Sequence, residues 1–140
     1  MSEEIKSLMH QTLTPEMHRK TLLRAAELVS MGWTTGAGAR NECGERVQGT
    51  SPVAFSWCLT GAISRALFEV MGIDVYQART GSIVDAVNFW WALMKPVHQV
   101  LAERGLDCHI VEWNDHWCGG ADEAEALLRE AAARISEPGP

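Results

Sequence analysis

A chain of 140 residues is the size of one ordinary domain, and splitting it would leave two halves each too small to bury much surface. With 46% hydrophobic and 21% charged residues it lies in the globular range, which excludes disordered, collagen-like and disulfide-dense chains. The net charge of -6 is spread along the sequence and Lys and Arg gather on no single face, which argues against nucleic acid as a partner.

Residues 1–13 are polar with little period and read as a flexible arm or short helix, followed by a single helical domain over 14–136 and a disordered tail over 137–140. Thr14-Pro15-Glu16 is a helix start: a capping oxygen, a proline where no N–H is needed, and an acid at the positive end. Leu22, Ala25, Ala26 and Val29 form the inward stripe of that helix, which Gly32 stops. Residues 33–50 hold too many glycines for a helix and predict an irregular loop, with a hairpin turning at Glu42-Cys43-Gly44.

Ser51 and Pro52 then predict a second helix start. Phe55, Cys58, Leu59, Ala62, Ile63, Ala66, Leu67 and Val70 recur at spacings of three and four before Gly72 ends the helix. Residues 75–80 predict a brief strand or extended link. Ser82 caps a long helix with Val84, Val87, Trp91, Met94, Val97 and Leu101 inward, interrupted by Pro96. Phe89 and Trp90 fall off that stripe, so this helix is apolar on more than one side and is either central or part of an interface. Residues 108–113, with Ile110 and Val111 at their centre, predict the one short extended β segment. After Gly119-Gly120, Ala124, Leu127, Leu128, Ala131 and Ile135 mark a last amphipathic helix over 121–135. The expected fold is therefore mainly α, a compact bundle of four to five helices with a glycine-rich loop and one short β segment.

No stretch reaches the roughly 20 apolar residues of a bilayer span, so no membrane partner is expected. The acidic start Met1-Ser2-Glu3-Glu4 is unlike a secretory signal, which predicts a cytoplasmic location with Cys43, Cys58, Cys108 and Cys118 as free thiols.

Gly32-Trp33, Gly36, Ala39-Arg40, the run Trp57-Cys58-Leu59-Thr60-Gly61-Ala62, and Trp113-Asn114-Asp115 before an alanine- and leucine-rich last helix resemble a family of small uncharacterised bacterial and phage proteins, known only as a domain of unknown function. The likeness is weakest over 71–106. Members of that family often follow the W-N-D triplet with a proline- and glycine-containing turn, where this chain has His116-Trp117-Cys118-Gly119-Gly120. The resemblance implies the boundaries of the fold and no activity.

Several residue groups are candidates for chemistry, each with a plainer explanation. Cys58 is a candidate nucleophile, with His109 or His116 as base and Asp115 as its orienting acid, but its place on an apolar stripe also makes it a core residue. Cys108, His109, His116 and Cys118 give four zinc-competent side chains in C-H-x6-H-x-C. Cys108 and His109 would nevertheless face opposite sides of a strand, so no metal or other cofactor is expected. Asn114 and Asp115 suit a turn, and Asp115 is the expected ion-pair partner of Arg40. Trp33, Trp57 and Trp113 either lock a small core or line a surface, and Trp90 and Trp117 are the candidates for exposed contacts. Thr34 to Arg40 lacks the strand before and helix after that a phosphate loop needs.

The function therefore stays unknown from sequence. The leading expectation is a non-catalytic binding or protein-interaction module with a tryptophan-lined surface, its ligand residues drawn from Trp33, Arg40, Trp57, Trp113, Asn114 and Asp115. Its partner would be a protein or small molecule, a second copy of the chain included. The alternative is a small hydrolase or transferase using Cys58 or Asp115 with His116 or His109.

Overall fold

The computed structural model describes residues 13–76 and 83–135. Most of the N-terminal arm, the link beyond Tyr76, the Ser82 cap and the C-terminal tail lie outside those residues.

Helix α1 (Pro15–Met31) starts as its sequence dictates, with the Thr14 hydroxyl accepting from the Met17 N–H at 3.2 Å. Its stripe of Leu22, Ala25, Ala26, Leu28 and Val29 is fully buried or nearly so. The glycine-rich segment that follows is more regular than a loop. Strand β1 (Ala39–Arg40) pairs antiparallel with β2 (Arg46–Val47) through the expected turn, and on its other side with β3 (Ser56–Trp57). Trp33 adds an isolated parallel bridge to Trp57.

That small sheet overturns the expected second helix start. Helix α2 (Leu59–Met71) begins only after β3, and Phe55, placed inward by helical spacing, is exposed. Residues 52–53 make a turn, and the backbone of Phe55, Trp57 and Cys58 is taken up by Arg40, Gly32 and Gly38. Pairing across the chain thus outweighs the local helical period. Cys58 is the N-cap of α2 and not two turns inside it, its Sγ accepting from the Gly61 N–H at 3.3 Å.

Helix α3 (Ile83–Glu103) runs through Pro96, where one internal hydrogen bond is lost. Leu93, Met94, Val97, Val100 and Leu101 form its buried stripe. Trp91 and Val87, expected on the inner side, lie off that line and are about half exposed.

The expected strand over 108–113 is instead helical. A single turn, α4 (Ile110–Glu112), runs into a π-helical turn (Trp113–Trp117), closed by the Cys118 N–H reaching the Trp113 carbonyl at 2.8 Å. Ile110 is fully buried in the core, and the turn's first two amides find nearby imidazoles, so no strand partner is needed. The last helix, α5 (Ala121–Ala133), presents Ala124, Leu127, Leu128 and Ala131 to the core. Helix α1 packs against both α5 and α2, and α5 against α3, so the fold is mainly helical with the three-stranded sheet set beside it. Among the described residues no helix is long and apolar enough to cross a membrane.

Candidate functional site

The three sequence motifs meet at one side chain. Asn114, 1% exposed, accepts on Oδ1 from the Trp33 Nε1–H at 2.9 Å and the Leu59 N–H at 3.1 Å. Its amide nitrogen donates to the Thr34 carbonyl at 3.1 Å and to Asp115 Oδ1 at 3.0 Å. Both donors and both acceptor positions of the amide are therefore used, the Leu59 bond satisfying the first free N–H of α2. Asp115 Oδ1 also accepts from the Gly36 N–H at 3.1 Å.

This junction corrects one expectation. Arg40 does not pair with Asp115; its guanidinium donates to Thr34 Oγ1 and to the carbonyls of Thr35 and Gly44, each at 3.0 Å, bracing the loop from inside. The link between the glycine loop and the W-N-D turn exists, but backbone amides and the Asn114 side chain make it. Trp57 and Trp113 are 7% and 4% exposed, and Trp57 Nε1–H donates to the buried Gly49 carbonyl at 3.0 Å. With Trp33 half-buried and tied to Asn114, these three indoles pack into the core, and Trp113 also edges a hollow shared with Trp117.

The thiol candidates are likewise placed for structure. The hydrogen-bond partners of Cys58 are the Gly61 N–H and Thr60 Oγ1, at 3.2 Å from Sγ, and no histidine is among them. His116 is exposed. Cys118 donates to the Gly120 carbonyl, and burial raises its thiol pKa above the ordinary value. Burial, with Glu112 and Asp107 adding to it, raises that of Cys108. Neither is poised as a thiolate. Among the described residues no three His, Cys, Asp or Glu side chains converge on a point that would hold a metal, so no three of Cys108, His109, His116 and Cys118 come together as a ligand set.

What sequence reasoning missed is a cavity of about 580 Å³ on the other side of α2. Phe89, Trp90, Trp91 and Val87 from α3 form one wall, Val75 and Tyr76 another, and His109 with Val111 a third. Thr60 and Ser64 close it from the first turns of α2. The lining holds aromatic rings, aliphatic groups, three hydroxyls and one imidazole, with no Lys, Arg, Asp or Glu among the described residues. Its size is that of a small-molecule pocket. The double apolar character of α3, with Phe89 and Trp90 off the core stripe, was the available signal.

Beside the cavity, Trp91, His98 and His109 form an aromatic group with ring centroids 5.2 to 5.9 Å apart. The Ile110 N–H donates to His98 Nε2 at 3.3 Å and the Val111 N–H to His109 Nδ1 at 3.2 Å. Burial, and secondarily the neighbouring His109, lowers the pKa of His98.

The fold and site together define a small helical domain with a three-motif polar junction and an aromatic cavity. The chain belongs to the family of unknown function DUF6197, whose model matches residues 14–134. No curated protein and no solved structure matches it.

Proposed function

We propose that the protein is a non-catalytic binding module whose site is the aromatic cavity between α2, α3 and the turn at His109. Its ligand is a small, largely apolar, uncharged molecule. The observation that carries this is the lining: four aromatic side chains around a space of ligand size, with no full charge among the described lining residues to balance one on the occupant. Thr60, Tyr76 and His109 supply the few polar groups that would orient it. The junction at Asn114 then holds the frame, and we read the G-W, W-C-L-x-G-A and W-N-D motifs as the signature of that frame in proteins of bacterial or phage origin.

This reading needs no cofactor or metal. A cytoplasmic setting is in keeping with four cysteines that are all free. A catalytic reading would need a histidine at Cys58 or Asp115, whose partners are Thr60, Gly61, Gly36 and Asn114. A second reading, self-association, draws support from Val87, Trp91 and Val111, which are 45%, 50% and 42% exposed beside the cavity.

The test is titration with the neutral fluorescent probe N-phenyl-1-naphthylamine. Saturable binding is expected, weakened about tenfold or more by Val111→Asp, which puts a charge at the exposed edge of an apolar site. Binding that never saturates, or is unchanged in that variant, contradicts the proposal.

A further inference from the structure

The turn that forms one wall of the cavity is held by two imidazoles, and both hold it only when unprotonated. His98 Nε2, from α3, accepts the N–H of Ile110, while His109 Nδ1 accepts the N–H of Val111. These are the first two amides of α4, donors with no intrahelical partner. An imidazolium has two N–H groups and no acceptor, so a proton on either ring removes its bond. Two protons would also place like charges on rings 5.2 Å apart.

The same bonds fix the neutral tautomers, leaving the proton on Nδ1 of His98 and on Nε2 of His109. We infer that α4 is an acid-released clasp: the two neutral imidazoles cap it, and a proton on either ring frees the turn from Ile110 onward. Since His109 and Val111 line the cavity, acid would also loosen that wall, a consequence that rests on the binding reading above.

The charged surroundings are mixed. Lys95, on α3, shares a small hollow with Trp91 and His98 and opposes a second positive charge there. Asp107 and Glu112 flank His109 in sequence and favour one, but neither carboxylate is hydrogen-bonded to an imidazole. Tyr76 lines the same cavity as His109. Burial and the nearby His109 set the direction for His98, which stays neutral to lower pH than a free histidine.

The experiment is amide exchange by NMR on the ligand-free protein at about pH 8 and about pH 5, corrected for intrinsic rates, bracketing the histidine range. Protection at Ile110 and Val111 should fall about tenfold or more in acid relative to Leu28 in α1. In the double variant His98→Gln and His109→Asn, whose amide oxygens accept at either pH, that fall should disappear. Equal loss in both proteins, or none in the unsubstituted one, would overturn the inference. Ring-nitrogen spectra of the unsubstituted protein give a check that needs no variant: His98 must carry its proton on Nδ1 and His109 on Nε2 at about pH 8. The opposite tautomers would overturn it too. Because no ligand is present, a failure of the clasp is separable from a failure of the cavity to bind.

Discussion

Asn114 shows how one residue joins distant parts of the chain. Its amide satisfies an indole, a helix terminus, a loop carbonyl and a carboxylate at once, and the residue itself is almost closed to water. Replacement by Asp keeps the shape but turns a double donor into an acceptor facing the Thr34 carbonyl and the Asp115 carboxylate. We expect Asn114→Asp to cost about 3 kcal/mol or more, measured by urea unfolding. A loss under about 1 kcal/mol would mean the junction is not what holds the three motifs together. The residue was visible in the sequence as part of a W-N-D turn. Its buried, fully bonded role was not, since three of its four partners lie 55 to 81 positions away.

At the scale of elements, the start of α2 depends on close backbone approach. A Cβ on Gly61 would stand 1.8 Å from the Gly38 carbonyl oxygen, so Gly61→Ala must push the glycine loop off the helix. The expected cost is about 3 kcal/mol or more in denaturant unfolding, beyond ordinary overpacking because rigid backbone is struck. A near-neutral effect would show that the loop is not packed against α2. Local rules read α1 and α5 well, since Thr14-Pro15 and the alanine and leucine stripes are self-contained signals. They failed where partners are remote. Ser51-Pro52 resembles a helix start, yet β1 claims the following residues; Ile110 and Val111 resemble a strand, yet two imidazoles and the core make them helical. The cavity was legible only as excess apolar surface on α3, because its walls come from three separated segments.

For the whole molecule, stability should decline in acid. Burial lowers the pKa of His18, whose Nε2 bonds the Leu93 carbonyl at 2.8 Å between α1 and α3, and burial likewise lowers that of His98. A folded pKa below the unfolded value means the unfolded chain binds more protons in the interval. The contribution is therefore complete above about pH 6.5, the unfolded value, and is lost as pH falls toward the folded values. The thermal midpoint should drop between about pH 7 and about pH 5, and less so in the double variant His98→Gln and His109→Asn, which retains only the His18 share. A midpoint that rises over this interval would reverse the assignment.

On the proposed reading the cavity, and not the tryptophan cluster of the core, takes the ligand. The six indole N–H signals in an NMR spectrum separate these directly when N-phenyl-1-naphthylamine is added. Trp90 and Trp91 are expected to shift while Trp57 and Trp113 stay in place; shifts confined to the exposed Trp117, or none at all, would put the ligand site elsewhere or nowhere.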